Sequence, residues 1–199
     1  MIILLSNDDG YLADGINILA AHLKKIAEII IFAPKENHSG SSSALTLRSE
    51  LQIKKIDDNI FCVNGTPADT VYLGLSGFLD IEPDMVISGV NHGANLGEDV
   101  LYSGTVAAAI EGRSLGIPSI AISSINKNNN NYKVAAQVAV ELVEKLKSHP
   151  FPSDTILNVN VPDRSMGDLN GVVATRLGTR KKSYPIPVSN NESHTYNYL

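Results

Sequence analysis

The fold class is decided by the N-terminal stretch Ile2-Ile3-Leu4-Leu5-Ser6-Asn7-Asp8-Asp9-Gly10. Its first four residues form a short, continuous apolar run, which is typical of a parallel strand that is covered on both faces. After the polar loop, apolar residues recur at helical spacing at positions 16, 19, 20, 23 and 26. Residues 29–33 are again continuously apolar, and Pro34 ends that run. The N-terminal segment therefore predicts a strand-helix-strand unit.

The same alternation continues along the chain. Short apolar runs predict strands at residues 51–56, 60–63, 85–88, 119–123, 156–161 and 172–177. Helices are predicted from Thr66 and Pro67 onward, over residues 105–115, and along the stripe at positions 134, 138, 142 and 146. The asparagine-rich tract at residues 126–131 predicts a loop. Strands that alternate with helices predict an α/β protein with a mostly parallel sheet and right-handed crossovers.

The composition predicts one folded domain that binds neither nucleic acid nor membrane. A length of 199 residues with 43% hydrophobic residues suffices for a core without disulfides. The net charge is -5, and the longest basic run, Arg180-Lys181-Lys182, is interpreted as an exposed loop. The sequence therefore predicts no basic surface that would bind a nucleic-acid backbone. The N-terminal apolar run ends at Asn7, too early for a signal peptide or a membrane span. The single cysteine, Cys62, is interpreted as a buried strand residue, which fits a reducing cytoplasm.

Polar loops follow the predicted strands, at the sheet edge where α/β proteins bind their ligands. Asp8 and Asp9 follow the first strand as adjacent carboxylates, and a bound cation would relieve their mutual repulsion. The same residue types also form ordinary solvated turns, so this motif alone does not decide between the two. The loop at residues 37–43 either presents Ser39 to an anion or a hydrated metal, or serves as a flexible linker.

Two further loops extend this pattern. Asn91 and Asn95 lie in a glycine-rich loop at residues 89–97 and offer neutral oxygen ligands. Residues 103–105 stand at the start of the alanine-rich helix, where unpaired amides and the helix dipole favour a phosphate group. A simple Ser or Thr helix cap explains the same residues without a ligand. Four such loops at one sheet edge favour a binding site over four separate structural explanations.

The candidate metal ligands are all oxygen donors, which favours Mg²⁺ or Mn²⁺ over Zn²⁺. His38 and His92 lie in these loops and either line the pocket or are plain loop residues. Tyr102 borders the same region and either stacks on a base or ribose or packs against the protein. The sequence contains no Gly-x-x-x-x-Gly-Lys, Gly-x-Gly-x-x-Gly or Gly-x-Ser-x-Gly motif, and Tyr11 stands where an Asp-x-Asp phosphatase motif starting at Asp9 would need aspartate.

Together, these loops resemble the SurE family, the stationary-phase survival nucleotidases, over roughly residues 1–177. The resemblance is carried by five motifs in order: Ile3-Leu4-Leu5-Ser6-Asn7-Asp8-Asp9-Gly10, Ala33-Pro34-Lys35-Glu36-Asn37-His38-Ser39-Gly40, Gly65-Thr66-Pro67-Ala68-Asp69, Ser88-Gly89-Val90-Asn91-His92-Gly93-Ala94-Asn95-Leu96-Gly97, and Asp99-Val100-Leu101-Tyr102-Ser103-Gly104-Thr105-Val106-Ala107-Ala108-Ala109. Any one of these motifs is weak evidence, but their combined order makes coincidence an unsatisfactory explanation.

The resemblance implies a Rossmann-like three-layer sandwich with one divalent cation, Mg²⁺ or Mn²⁺, in each subunit. The family's metal ligands map onto Asp8, Asp9, Ser39 and Asn91. Its phosphate-binding groups map onto Asn95, Ser103, Gly104 and Thr105. The catalytic residues would be Asp8, Asp9 and Asn95, with Asp9 orienting the attacking water or accepting its proton. A covalent aspartyl-phosphate route is the less favoured alternative.

The implied activity is a phosphoric monoester hydrolase of the 5′-nucleotidase type. It would hydrolyse nucleoside 5′-monophosphates through a water molecule that the metal activates, with 3′-monophosphates and short polyphosphate as further substrates. The family also implies a cytoplasmic homodimer or homotetramer. The alternatives are a nucleotide-binding sensor without turnover, an oxidoreductase suggested by the fold class alone, and a purely structural protein.

The resemblance weakens at the C-terminus. Relatives continue there with a β-rich arm that helps to build the oligomer, and this arm is expected to be truncated here. We therefore predict a phosphatase domain at residues 1–177. Residues 178–199 are predicted to form a polar stretch that is either disordered or a remnant of the arm.

Overall fold

A computed structural model describes residues 1–80, 82–125, 132–152 and 154–179 of the chain. These residues form a seven-stranded sheet and four α-helices. The strands are β1 (Ile2–Ser6), β2 (Glu28–Pro34), β3 (Ile53–Asp57), β4 (Ile60–Val63), β5 (Met85–His92), β6 (Ser119–Ile125) and β7 (Ile156–Pro162). The helices are α1 (Asp14–Leu23), α2 (Pro67–Leu75), α3 (Gly104–Ser114) and α4 (Tyr132–Ser148), with short 3₁₀-helices at Gly97–Tyr102 and Met166–Asp168.

The strand order is β3-β4-β2-β1-β5-β6-β7, and only the β3–β4 pair is antiparallel. From β1 the chain builds outward through β2 to β4 and β3, and then returns to place β5 on the other side of β1. The order therefore switches direction between β1 and β5. In open parallel sheets, such a switch opens a crevice at the carboxyl ends of the two strands.

Helices cover both faces of the sheet. On β1, Ile3 and Leu5 face the side covered by α1 and α4, whereas Leu4 faces the side covered by α2 and α3. Both sets of side chains are fully buried. This two-sided burial explains why the strands are continuously apolar rather than alternating. The three layers confirm the predicted α/β sandwich.

Local signals set where the helices begin. Thr66 caps α2: its hydroxyl accepts a hydrogen bond from the Asp69 amide at 3.1 Å, and the Asp69 carboxylate accepts one from the Thr66 amide at 2.9 Å. Pro67 occupies the first turn, as predicted. Ser103 caps α3 by accepting a hydrogen bond from the Val106 amide at 3.1 Å. The reciprocal cap of α2 and the single cap of α3 satisfy amides that a helix leaves unpaired at its start.

The strand predicted at residues 172–177 is wrong. This segment is exposed and irregular, with Val173 79% and Leu177 60% exposed. Its residue types suit a strand, but a strand needs a hydrogen-bonded partner, and in the described part of the chain β7 pairs only with β6. The helix predicted from the apolar spacing at positions 16–26 was also too long. Helix α1 ends at Leu23, so Ile26 lies beyond it.

Several predictions fall on residues that lie outside the described ranges. These are the loop at residues 126–131, the basic run at residues 180–182 and most of the polar stretch at residues 178–199. Among the described residues, no helix is long and apolar enough to cross a membrane. Cys62 is a buried residue of β4, as predicted.

Candidate active site

The loops at the carboxyl edge of the sheet surround a cavity of about 250 Å³. Five of the eight predicted site residues line it: Asp8, Ser39, Asn91, Asn95 and Ser103. The wall is completed by Gly40, His92, Gly93, Ala94, Asp99 and Tyr102. The cavity lies at the switch between β1 and β5, where the strand order places it. Asp9, Gly104 and Thr105 stand next to lining residues but do not line the cavity themselves.

Asp8 is a buried carboxylate, 4% exposed, directly beyond β1. Burial raises the pKa of Asp8 above its ordinary value, because desolvation penalises the charged form. Hydrogen bonds from the hydroxyl and the backbone amide of Thr105 oppose that shift. The site therefore holds a carboxylate that is costly to ionise and partly compensated by the first turn of α3.

Asp9 is half-buried beside Asp8. Burial and, second, the negative charge of Asp8 raise the pKa of Asp9, while His92 and Asn37 oppose the shift. The Asn37 side-chain amide donates to Oδ1 of Asp9 at 3.2 Å, and its oxygen accepts from the Ser39 amide at 2.8 Å. Asn37 thus ties the carboxylate after β1 to the serine after β2.

The loop after β2 is held in place from both sides. The His38 amide donates to the Asp8 carbonyl oxygen at 2.7 Å. The Ser42 amide and hydroxyl donate to the carbonyl oxygens of Tyr102 and Leu101, at 3.1 and 2.6 Å. Ser39 therefore lies in a loop that spans from the end of β1 to the end of the 3₁₀-helix before α3. This observation argues against the flexible-linker interpretation of residues 37–43.

Asn91 lies near the end of β5, where the pairing with β6 shifts register. Its side-chain NH₂ donates to the Gly93 carbonyl oxygen at 2.8 Å. The NH₂ group is engaged in that turn, and the side-chain carbonyl oxygen is the acceptor atom of Asn91, a residue that lines the cavity. His92 follows it on the cavity wall with an exposed side chain, and His38 is half-buried outside the lining.

The first turn of α3 packs directly against Asp8. A Cβ atom at Gly104 would lie 2.7 Å from the Asp8 Cβ, so only glycine permits this approach. The Thr105 hydroxyl donates to Oδ1 of Asp8 and its side chain is fully buried. The sequence pattern indicated a phosphate contact for Thr105; the structure gives its hydroxyl a different partner. Ser103, 7% exposed, lines the cavity at the helix start.

Asn95 is buried and contacts three residues that sequence reasoning did not assign to the site. Its side-chain NH₂ donates to the Ser123 hydroxyl at 3.0 Å. Its backbone contacts the side-chain amides of Asn158 and Asn160 on β7. The sequence pattern that could have indicated these contacts is the alternation of Asn158 and Asn160 with apolar residues. This alternation puts two side-chain amides on one face of a strand.

The donor chemistry of the cavity fits a hard divalent cation. Across the described ranges, no group of three or more His, Cys, Asp or Glu residues could hold a metal ion. The cavity instead combines the carboxylate of Asp8 with the Ser39 hydroxyl and the Asn91 carbonyl oxygen, and Asp9 adjoins them. Sets with few charges and several neutral oxygens suit Mg²⁺ or Mn²⁺, which retain water ligands, and not Zn²⁺.

Comparisons with known proteins identify the family. The family model described as "Survival protein SurE" matches residues 3–184, which is most of the chain. The chain belongs to the SurE family. The matched range includes every residue that lines the cavity.

Among the curated relatives, a 5′-nucleotidase SurE from Methylococcus capsulatus is 55% identical over 183 residues, covering 92% of this chain and 73% of that protein. A 5′-nucleotidase SurE from Xanthomonas axonopodis pv. citri is 48% identical over 203 residues, covering 100% of this chain and 78% of that protein. The crystal structure of the SurE protein from Aquifex aeolicus matches with a TM-score of 0.86 and 45% identity, covering 90% of this chain and 73% of that one. The chain thus spans about three quarters of the length of these relatives.

Proposed function

We propose that this chain is a 5′-nucleotidase, a phosphoric monoester hydrolase that converts nucleoside 5′-monophosphates to nucleoside and phosphate. The observation that carries the proposal is the position of Asp8. This buried carboxylate lines the cavity at the sheet switch and contacts the first turn of α3, where a helix attracts anions. The SurE relatives that are named 5′-nucleotidases support the same activity.

A divalent cation, Mg²⁺ or Mn²⁺, belongs to the proposal, with Asp8, Asp9, Ser39 and Asn91 as its ligands. The raised pKa values of Asp8 and Asp9 support it, because two desolvated neighbouring carboxylates gain most from a nearby positive charge. When bound, such a cation neutralises phosphate charge and promotes ionisation of a water molecule. We propose one cation per subunit.

The phosphate group would lie between Asn95 and the start of α3. The helix dipole and the amides near Ser103 and Gly104 stabilise negative charge on the phosphate oxygens, and this charge is greatest in the transition state. Thr105 acts on the phosphate indirectly, because its hydroxyl and amide donate hydrogen bonds to the Asp8 carboxylate. The side chain of Asn95 adds a neutral hydrogen-bonding group that needs no charge compensation of its own.

Asp9 is the proposed residue that orients the attacking water or accepts its proton. Its position beside Asp8 supports this role, because a general base must lie within reach of the water that it deprotonates. The hydrogen bond from Asn37 to Oδ1 restricts the orientation of the Asp9 carboxylate. An Asp9→Asn protein that kept full activity would remove Asp9 from the mechanism.

The remaining parts of the proposal follow from the family resemblance. They are 3′-monophosphates and short polyphosphate as further substrates, a homodimer or homotetramer, a location in the cytoplasm, and a catalytic domain at residues 1–177 followed by a polar stretch at residues 178–199.

Tyr102 lines the cavity and is 55% exposed, so we propose that its ring stacks on a base or ribose.

The test is phosphate release from a panel of nucleoside monophosphates with Mn²⁺, with Mg²⁺ and with a chelator. Asp8→Asn is the variant that removes one ligand charge. Asp163→Asn, at an exposed site just after β7, is the matched control. We expect release that requires a divalent cation, is lost in Asp8→Asn and is unchanged in Asp163→Asn.

Two results would contradict the proposal. A folded, cation-loaded protein that binds nucleotides without releasing phosphate would be a sensor instead of an enzyme. Equal activity of Asp8→Asn and the parent protein would place the reaction at a different site.

A further inference from the structure

Two asparagines of β7 hold the backbone of Asn95. The Asn95 amide donates to Oδ1 of Asn160 at 2.8 Å, and the Asn160 NH₂ donates back to the Asn95 carbonyl oxygen at 3.0 Å. The Asn158 NH₂ donates to the same carbonyl oxygen at 2.8 Å. Asn95 is therefore held by three hydrogen bonds with side chains that lie more than sixty positions away in the sequence.

The chemistry of these contacts requires carboxamides. Asn160 uses its oxygen and its NH₂ group at once, so it acts on Asn95 as a neighbouring strand would. Aspartate has the size of asparagine but, when ionised, presents only acceptors, and it would repel the Asn95 carbonyl oxygen. Asn158, in contrast, contributes only its NH₂ group. Its own Oδ1 is buried without a hydrogen-bond partner among the described residues. An unpaired buried amide oxygen carries a free-energy cost, which indicates that the NH₂ contact is what this position provides.

The side chain of Asn95 is fixed separately, from β6. Its amide contacts the Ser123 hydroxyl at 3.0 Å. A hydroxyl can accept or donate, so Ser123 supports the Asn95 side chain with either its NH₂ group or its oxygen turned towards the cavity. The backbone of Asn95 is thus held by β7 and its side chain by β6. Asn95 lies in a loop, and these contacts connect it to the rigid sheet.

We propose that Asn158 and Asn160 are positioning residues, which act on the reaction through Asn95 without touching the substrate. The proposal rests on the proposed nucleotidase function, in which Asn95 contacts the phosphate. Without the two amides, the loop at residue 95 would lose its alignment with the start of α3. Misplacement of a contacting group by about 1 Å can reduce a rate about 100-fold. A loss of alignment should affect the transition state more than initial substrate binding.

The first experiment measures kcat and KM for Asn160→Leu and Asn158→Leu, alone and combined with Asn95→Ala. Ile156→Ala is the control, because Ile156 lies on the same face of β7 and packs against the core beside α3 and β6. We expect Asn160→Leu to lower kcat roughly 10- to 100-fold with little change in KM, as for other residues that support a ligating group. Ile156→Ala should lower the melting temperature and leave kcat unchanged.

The double variants distinguish a positioning role from a general structural one. If Asn160 acts through Asn95, Asn160→Leu costs nothing further once Asn95 is alanine. An equal additional loss of kcat in the Asn95→Ala background would overturn the proposal.

Amide hydrogen exchange at Asn95 tests the same contacts without reference to activity. We expect Asn160→Leu to speed exchange of the Asn95 amide selectively, since Asn160 is its acceptor. Unchanged exchange at Asn95 would overturn the proposal even if activity fell. An inactive parent protein whose Asn95 amide is still protected by Asn160 would instead refute the proposed function and leave the contact itself established.

Discussion

Thr105 at the start of α3 donates a hydrogen bond from its hydroxyl to the Asp8 carboxylate in the loop after β1, across 97 positions of sequence. Both residues are buried. The contact joins the two parts of the candidate site, the carboxylate pair and the helix terminus. Charge-assisted hydrogen bonds of this kind are stronger than neutral ones. Thr105 therefore helps to keep Asp8 ionised in a buried position.

Replacing Thr105 with valine should weaken cation binding. Valine keeps the shape but removes the donor, so the pKa of Asp8 rises further above its ordinary value. We expect Mn²⁺ affinity to fall roughly 10- to 100-fold, and the pH at which binding is half-maximal to move upward. Calorimetric titration with Mn²⁺ at several pH values measures both. Thr105→Ser, which retains the hydroxyl, should stay close to the parent; an equal loss in both variants would argue against the hydrogen bond.

Replacing Asp8 with asparagine should stabilise the cation-free protein at neutral pH. The folded-state pKa of Asp8 is raised above its ordinary value of 3.8, so the folded state holds this proton more tightly than the unfolded state. The favourable contribution is complete below the unfolded pKa and is lost as pH rises through the folded pKa. We expect Asp8→Asn to have a higher free energy of unfolding than the parent protein at neutral pH, and no such gain in strong acid.

Urea unfolding in the presence of a chelator, at neutral and acid pH, measures this difference. Saturating Mn²⁺ should reverse the order, because only the parent protein retains both carboxylates. A destabilised Asp8→Asn protein at neutral pH without cation would show that burial of the charge costs less than we infer.

Ser103 and Thr66 offer a matched pair of helix caps. Each hydroxyl accepts one amide hydrogen bond at the start of its helix, at 3.1 Å in both cases. Each substitution by alanine should cost about 1 kcal/mol of stability. Only Ser103 lines the cavity, so only Ser103→Ala should also lower kcat/KM, by more than tenfold. Thermal unfolding and steady-state kinetics separate the two effects, and equal kinetic losses would exclude a specific role for Ser103.

Gly104 and Gly112 form a second matched pair, both within α3. A Cβ atom at Gly104 would lie 2.7 Å from the Asp8 Cβ, and one at Gly112 would lie 2.4 Å from the Ser119 hydroxyl and 2.8 Å from Val86. Both alanine variants should be destabilised, by roughly 1–3 kcal/mol, because both overpack the contact between α3 and its neighbours. Gly104→Ala should also weaken Mn²⁺ binding, since it displaces Asp8. Gly112→Ala should bind Mn²⁺ as the parent does when both are folded.

Much of the fold could be predicted from the sequence because its strongest signals are local. The continuous apolar run before Asp8 marks a strand that is covered on both faces, and Thr66 with Pro67 marks a helix start. The edges were harder to predict. Residues 172–177 have the composition of a strand but no partner strand among the described residues, and pairing depends on the rest of the sheet.

The candidate site was predictable at the level of loops but not of contacts. Strand ends in a parallel sheet converge, so Asp8, Ser39 and Asn91 could be expected to meet. That the Thr105 hydroxyl faces Asp8 depends on how closely α3 approaches β1. The contact of Asn160 with Asn95 depends on a strand at the far end of the sheet order. Such relationships follow from tertiary packing and have no local pattern in the sequence.

The position of Asp8 in the loop directly after the first strand has a consequence for the order of folding. Asp8 is among the first residues of the chain, but the residue that covers and hydrogen-bonds it comes 97 positions later. Contacts of such long range are completed late in folding, because the intervening chain must first be brought together. A cation that requires the finished cavity therefore stabilises the native state more than the transition state for folding. Its stabilising effect is then expressed as slower unfolding, while the folding rate is left unchanged.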